Sequence, residues 1–246
     1  MTPHFEDFGS GRPFLLLHGG AGPVSVASFG AHLAERRPAR VLVPTHPGFN
    51  GTPRPDDIAD AQALAQLYAD LLEEQDLTDV TVVGNSLGGW IAAEMALLNS
   101  PRVAGVVIMN GVGITVPGHP IADFFSLTLP EVAELSYHEP DRFRIDPSTF
   151  TDAQKAAMAA NRETLAVYAG KGMEDPTLAG RLAAVTVPTL VLWGQSDRMV
   201  DPDYGRAFAE AIPTATYRPL EGTGHLPQLE TPDLALDAVW EFAAQL

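Results

Sequence analysis

A serine between two glycines carries the strongest chemical signal in this sequence of 246 residues. Ser86 lies in the run Val-Val-Gly84-Asn-Ser86-Leu-Gly88, which matches the pattern G-x-S-x-G between a predicted strand and a predicted helix. Small residues two positions before and after the serine avoid steric conflict on such a turn, which accounts for both glycines. The turn lifts a hydroxyl to a helix N-terminus, where free N–H groups favour developing negative charge. The pattern predicts a nucleophile at Ser86, and an incidental serine on a glycine-rich turn is the alternative.

Two later segments supply an acid and a base. Asp197 follows the apolar run Leu190–Trp193, and His225 lies on a glycine loop after the predicted strand Ala215–Arg218. Taken singly, these residues are typical of a turn cap and a surface histidine. Taken together with Ser86, they give the chain order Ser, Asp, His, each after a strand that should end at one edge of the sheet. This order predicts a Ser86–His225–Asp197 catalytic triad.

A glycine loop near the N-terminus offers exposed backbone N–H groups. It reads Leu17-His18-Gly19-Gly20-Ala-Gly22 and follows an early predicted strand. The N–H of Gly20 and the N–H of Leu87, directly after the nucleophile, are the predicted oxyanion hole. His18 is predicted to hold the loop through hydrogen bonds and to take no part in catalysis.

Other carboxylates compete with Asp197 for the acid role. Asp201 and Asp203 are close in sequence, but Asp201-Pro202 is typical of the N-cap and first turn of a helix. Asp197 is nearer to the end of its strand and is therefore the better partner to orient the histidine. Asn110 follows another predicted strand and carries no charge.

The elements that must position these residues alternate along the chain. Short runs rich in Val, Ile and Leu predict buried strands, and longer stretches with an apolar stripe predict helices. The strands are predicted at Phe14–Leu17, Val41–Val43, Val80–Val83, Val103–Met109 and Leu190–Trp193, and helices at Ala61–Gln75, Ser86–Leu98 and Leu234–Ala244. This alternation predicts an α/β fold, a mostly parallel sheet with helices on both faces.

One segment interrupts the alternation. Residues 115–184 contain six prolines and several helical stretches but no convincing buried strand. A structureless loop of that length is improbable in a compact domain, so we expect a small helical cap here, inserted into a core of residues 1–114 and 185–246. Phe124, Phe125 and Leu129 are predicted to line a substrate pocket between this cap and the sheet edge.

Composition excludes several functional classes. The formal charge of −16 repels phosphate backbones and anionic lipids, which argues against nucleic-acid and membrane partners. The chain has no cysteine, no nucleotide-binding P-loop and only dispersed histidines, so we expect neither a metal nor a cofactor. No signal peptide or spanning run is visible, which predicts a cytoplasmic protein. The expected partner is a small-molecule substrate, and a homo-oligomer remains open.

Across nearly its whole length, the chain resembles the α/β-hydrolase-fold enzymes that carry a cap after the sixth strand. The resemblance rests on the glycine loop at His18, on His46-Pro-Gly48-Phe49, on the serine turn, and on the histidine loop that runs to Pro232. It implies Ser86 as nucleophile, Asp197 as acid and His225 as base. The short N-terminus departs from the family, since little precedes Phe14 beyond a possible strand near Thr2–Glu6, and one or two family strands are expected to be missing.

The expected reaction is cofactor-independent acyl transfer. Small carboxylic esters are the default substrate. Members of the family that hydrolyse a carbon–carbon bond in vinylogous diketones carry a similar glycine loop and a similar Asn-Ser-x-Gly-Gly turn, so that reaction is the first alternative. Lactones, thioesters and amides stay open as well. An alternative of another class is a ligand-binding receptor on the same scaffold, because a fold does not determine a function.

Overall fold

A seven-stranded sheet forms the centre of the molecule. The computed structural model describes residues 2–144 and 146–246, apart from the side chain of Pro147; Met1 and Ile145, which fall in the predicted core and cap ranges, lie outside it. The strands are β1 (Phe5–Gly9), β2 (Arg12–Leu17), β3 (Ala39–Pro44), β4 (Val80–Asn85), β5 (Val103–Met109), β6 (Thr189–Gly194) and β7 (Ala215–Leu220).

The strand order predicts a ligand-binding crevice at the sheet edge, between the loops that follow β2 and β4. The order is β1-β3-β2-β4-β5-β6-β7, with β1 antiparallel to β3 and every other neighbouring pair parallel. From β2 the chain proceeds first to β3 on one side and then to β4 on the other. The loops that follow β2 and β4 therefore diverge, and ligands bind at such a switch point in open α/β sheets.

Helices cover both faces of the sheet. They are α1 (Val24–Arg36), α2 (Ala61–Glu74), α3 (Leu87–Leu97), α4 (Leu129–Ser136), α5 (Pro140–Phe143), α6 (Asp152–Ala169), α7 (Leu178–Arg181), α8 (Pro202–Glu210), α9 (Pro227–Glu230) and α10 (Pro232–Ala243). Side chains of β2 alternate between two cores. Leu15 and Leu17 join α2, α3 and α8 in one core, whereas Phe14 and Leu16 join α1 and α10 in the other. Within the described chain, no helix is both long and apolar enough to cross a bilayer.

The α/β fold predicted from the sequence is confirmed. The five predicted buried strands are present, and the possible strand near the N-terminus is β1, three residues further along than expected. Helices α4 to α7 lie between β5 and β6, where the cap is predicted; the boundaries 115–184 remain a prediction. The insertion follows β5, the fifth strand in the described part of the chain.

A buried ion pair joins helix α3 to this inserted segment. Glu94 on α3 is 4% exposed, and its two carboxylate oxygens each accept a hydrogen bond of 2.7 Å from the Arg181 guanidinium. Arg181 also contacts Asp175 at 2.8 Å, and Trp90 donates to Glu94 from the same helix at 3.2 Å. Because α3 begins directly after Ser86, this pair anchors the helix that carries the serine turn.

Replacing Arg181 by Met should leave the Glu94 carboxylate buried without its cation. We expect the free energy of unfolding to fall by about 3 kcal/mol, the lower end for broken buried pairs, because the Arg181 side chain is itself 33% exposed. Urea unfolding measures the change. The double variant Arg181→Met/Glu94→Gln removes the unpaired charge and should regain part of the loss; equal losses in both variants would contradict the ion-pair explanation.

Candidate active site

The serine turn has the strained geometry that its sequence predicts. Ser86 sits between β4 and α3 with φ 57° and ψ −117°, a region that L-residues rarely occupy. Its backbone N–H donates to Met109 O at 3.1 Å, and its carbonyl accepts from the N–H of Gly89 at 2.9 Å. A Cβ on Gly84 would lie 1.9 Å from Gly88 O, and one on Gly88 would lie 2.2 Å from Leu17 O. Glycine is therefore required at both positions.

His18 and His46 hold the glycine loop beside this turn. His18 is fully buried; its Nδ1–H donates to Gly19 O at 2.8 Å, and its Nε2 accepts from the His46 N–H at 3.1 Å. The His46 ring donates through Nε2 to His18 O at 2.8 Å and accepts the hydroxyl hydrogen bond of Tyr68 at Nδ1. Burial lowers the pKa of His46 to about 4 and lowers that of His18 well below its ordinary value. Both rings are therefore neutral at pH 7, which agrees with a structural role for His18.

Asp197 and His225 form a buried pair. His225 Nδ1 lies 2.8 Å from Asp197 Oδ2, and the two side chains are 9% and 0% exposed. Asp197 Oδ1 accepts from the N–H groups of Met199 at 2.8 Å and Val200 at 3.0 Å, which fixes the carboxylate. Because Asp197 occupies Nδ1, the nitrogen left for a reacting group is Nε2 of His225. A direct Ser86 Oγ–His225 bond is not among the hydrogen bonds of the described residues; such bonds often shorten only when substrate binds.

Asn110 contacts the same carboxylate and was not predicted to do so. It directly follows β5, and its Nδ2 donates to Asp197 Oδ2 at 2.7 Å. Asn110 is fully buried and has a positive φ of 46°, which asparagine tolerates better than most residues. The sequence places Asn110 at the end of a strand, and this position is the only signal that could have suggested the contact.

Asn85 links the serine turn to the histidine loop. Its Nδ2 donates to His225 O at 2.9 Å and to Met109 O at 3.2 Å, while its Oδ1 accepts from Gln228 Nε2 at 3.0 Å. All three side-chain contacts are buried. The residue that precedes Ser86 therefore positions His225 through the main chain of its loop.

A cavity of about 70 Å³ lies over the serine. Gly20, Ser86 and His225 line it, so the structure brings the predicted nucleophile, base and one oxyanion donor to one space. Leu87 is the first residue of α3, next to Ser86. The apolar part of the wall is formed by Val112, Phe124, Val132, Leu165, Met173 and Met199.

The other residues singled out in the sequence lie elsewhere. Phe125 lines a separate surface cleft, and Leu129 is the first residue of α4; their contact with substrate remains a prediction. Asp201 caps α8 by accepting from Asp203 N and Tyr204 N, both at 2.9 Å, as its sequence predicts. Asp201 also contacts His119 Nδ1 at 2.8 Å. One side-chain nitrogen or oxygen of each of His119, Asp201 and Asp203 lies within 4.8 Å of the others. The α8 cap, the His119–Asp201 hydrogen bond and the 3.2 Å contact of Asp203 with Arg206 account for that cluster.

Comparisons with known proteins agree with the fold. The sequence of residues 14–238 matches the alpha/beta hydrolase family. The chain is 30% identical, over 92% of its length and 85% of the relative, to the 2-hydroxy-6-oxononadienedioate/2-hydroxy-6-oxononatrienedioate hydrolase of Cupriavidus pinatubonensis.

Two solved structures are similar over 98% of this chain. A thermophilic esterase from Thermogutta terrifontis has a TM-score of 0.77 at 26% identity, with 93% of that chain covered. A meta-cleavage product hydrolase from Pseudomonas fluorescens IP01 has a TM-score of 0.76 at 20% identity, with 94% of that chain covered.

The neutral His46 predicts how stability depends on pH. Its pKa of about 4 in the folded state is below the ordinary value of 6.5, so between these values the unfolded chain binds a proton that the folded chain does not. This contribution to stability is complete above pH 6.5, falls as the pH decreases toward about 4, and amounts to about 3 kcal/mol. Urea unfolding at several pH values in this window measures the loss.

Two variants separate His46 from the other titrating groups. In His46→Gln the amide can still donate to His18 O but does not titrate, so the loss of stability between neutral and acid pH should be smaller than in the parent. His4→Gln, at an exposed position, is the matched control and should follow the parent. A pH dependence that is the same in His46→Gln as in the parent would contradict the assignment.

Proposed function

Since this chain belongs to the alpha/beta hydrolase family and is a hydrolase, we propose that it cleaves the carbon–carbon bond beside a ketone in a vinylogous diketone. The observation that carries the proposal is the buried pair of His225 and Asp197, at 2.8 Å, on the cavity that holds the strained Ser86. The bond type is supported by relatives of 28–30% identity that are named as hydrolases of 2-hydroxy-6-oxo dienedioates and trienedioates.

In the proposed first step, His225 Nε2 removes the Ser86 proton and Ser86 Oγ attacks the ketone carbon. The N–H groups of Gly20 and Leu87 hold the resulting oxyanion. Asp197 keeps Nδ1 of His225 protonated and stabilises the imidazolium that forms. The four hydrogen bonds that the Asp197 carboxylate accepts support this role, because they fix both of its oxygens in a buried position.

Collapse of the oxyanion then breaks the carbon–carbon bond. A 2-hydroxy-6-oxo dienoate must ketonise before this step: its hydroxyl proton moves to the carbon beside the 6-oxo group, and a 2-oxo group forms. The electron pair of the broken bond then passes through the remaining carbon–carbon double bond to the 2-oxo group, which is why the substrate must be a vinylogous diketone. His225 returns its proton to this leaving carbanion, and an acyl group stays on Ser86. Water, activated by His225, hydrolyses the acyl-enzyme and releases a carboxylic acid.

Hydrolysis of a carboxylic ester is the second candidate. The same steps apply, with an alkoxide as the leaving group and no need for conjugation. The likeness to the Thermogutta terrifontis esterase, at 26% identity over 98% of this chain, favours this alternative. Multiple-turnover assays on a hydroxy-oxo-dienoate and on a p-nitrophenyl ester rank the two reactions, and a receptor would bind either compound without sustained turnover.

Ser86→Ala tests the nucleophile. Removing the hydroxyl should lower kcat on the dienoate by at least ~10³-fold, because the acyl-enzyme cannot form. A fluorophosphonate probe should label Ser86 in the parent, as found by peptide mass mapping. Ser28→Ala, at an exposed site on α1, is the control and should keep the parent rate and labelling. Labelling of another serine, or parent-like turnover by Ser86→Ala, would refute the proposal.

Asp197→Asn tests the acid. If the amide oxygen keeps the N–H groups of Met199 and Val200, its NH₂ group faces the donors of Asn110 and His225. The NH₂ group then donates to Nδ1 of His225, and the proton of the histidine lies on Nε2. Because a protonated Nε2 cannot accept the Ser86 proton, kcat should fall at least ~10²-fold.

Asp201→Asn and Asp203→Asn are the matched controls for the acid. Both should stay within a few-fold of the parent rate, because Asp201 caps α8 and contacts His119, away from His225. Thermal melts of all three variants exclude unfolding as a cause. If Asp201→Asn loses activity and Asp197→Asn does not, the acid is Asp201.

A further inference from the structure

The wall of the cavity over Ser86 is mostly apolar. None of the residues that line this cavity in the described structure is a lysine or an arginine. The polar side chains that line the cavity are those of Asn85, Ser86, Ser136 and His225. The amide of Asn85 already donates to two main-chain carbonyls, so it has no N–H group left to donate to a ligand. The wall therefore offers few groups that could replace the hydration of an anion.

Arg162 packs against Phe124, one residue of this wall. Its guanidinium carbon is 4.8 Å from the centre of the Phe124 ring, and its Nη2 donates to Phe124 O at 2.6 Å and Leu127 O at 3.2 Å. Phe124 lines the cavity and Arg162 does not. These main-chain hydrogen bonds hold the Arg162 guanidinium against Phe124, outside the set of residues that line the cavity.

We propose that the acyl half of the substrate, the half that is transferred to Ser86, is short and uncharged. This inference rests on the proposed function and separates this chain from its named relatives. In a 2-hydroxy-6-oxononadienedioate, cleavage beside the 6-oxo group leaves one of the two carboxylates in the acyl half. Among the described residues, no lysine or arginine lines the cavity to pair with such a carboxylate, and desolvation of an unpaired charge is strongly unfavourable.

The size of the cavity limits the length of the acyl group. Its volume of about 70 Å³ is well below the ~300 Å³ at which ligand pockets usually begin. Leu165 narrows it at the glycine loop, since a Cβ on Gly20 would lie only 2.7 Å from Leu165 Cδ2. The acyl half therefore fits as a few apolar carbons, and the conjugated half must extend out of the cavity.

A matched pair of substrates tests the inference. One is 2-hydroxy-6-oxononadienedioate, and the other is the same compound with a methyl group in place of the carboxylate of the acyl half. Both compounds carry the same carboxylate on the other half, so its effect on kcat/KM cancels when the two compounds are compared. We expect kcat/KM to be about 10²- to 10³-fold higher for the methyl compound, the range expected for an unpaired buried charge. p-Nitrophenyl butanoate and its hemisuccinate analogue repeat the comparison with an ester.

Introducing a cation should reverse the preference. Val132 lines the cavity and is half-buried, so Val132→Arg can place a guanidinium at its rim; it should raise the dioate-to-methyl ratio of kcat/KM at least ~10-fold. Val24→Arg adds the same charge at a position on α1 that is 75% exposed and should leave the ratio unchanged. Thermal melts show that both variants are folded.

The outcomes distinguish this inference from the proposed function. Turnover of the dioate equal to or faster than that of the methyl compound overturns the inference and leaves the hydrolase proposal intact. A folded Val132→Arg variant with an unchanged ratio also overturns it, because charge would then not decide the preference. Absence of turnover with every compound, at the rate of Ser86→Ala, refutes the proposed function and the inference with it.

Discussion

The site depends on how closely the main chain of three segments can approach at the serine turn. Gly84 faces the carbonyl of Gly88, and Gly88 in turn faces the carbonyl of Leu17 at the end of β2. A Cβ at either position would lie within 2.2 Å of a carbonyl oxygen, so any side chain there must push α3 away from β4 or β2. This contact holds the first turn of α3 next to the glycine loop. The oxyanion hole proposed at Gly20 and Leu87 depends on this contact, because it sets the distance between the two segments.

The second constraint on the site is electrostatic: the buried Asp197 carboxylate must be satisfied by hydrogen bonds. Its two oxygens accept four hydrogen bonds, two from main-chain N–H groups and one each from Asn110 and His225. A buried carboxylate is stable only when it is satisfied in this way. Because three of the four donors are fixed by β5 and the loop after β6, the position of the fourth, the His225 ring, is determined by the fold.

Local patterns in the sequence predicted the elements and the strand ends, but not the contacts between distant residues. The alternation of Phe14, Leu15, Leu16 and Leu17 between two cores follows from strand geometry and needs no tertiary information. Likewise, Asp201-Pro202 identified a helix cap because capping involves neighbouring residues only. The contact of Asn110 with Asp197 spans 87 positions, and the ion pair of Glu94 with Arg181 also spans 87. Nothing in either neighbourhood indicates the partner, since asparagine and glutamate are common at exposed positions as well.

Helix α6 explains how a site can keep its chemistry and change its substrate. One stripe of this helix docks on the loop after β3: the N–H of Asn50 donates to Asn161 Oδ1 at 2.8 Å, Thr164 donates to Gly48 O at 3.2 Å, and Tyr168 donates to Pro47 O at 2.7 Å. Leu165 lies on the same stripe, at helical spacing from these residues, and reaches the cavity beside Gly20. The three polar contacts fix the helix to the loop after β3, so the side chain at position 165 can differ without moving the glycine loop. The residues proposed to do chemistry follow strands of the sheet, whereas much of the apolar wall of the cavity comes from the segment between β5 and β6. The two sets of residues can therefore vary independently, so the proposed nucleophile is compatible with substrates of different size and charge.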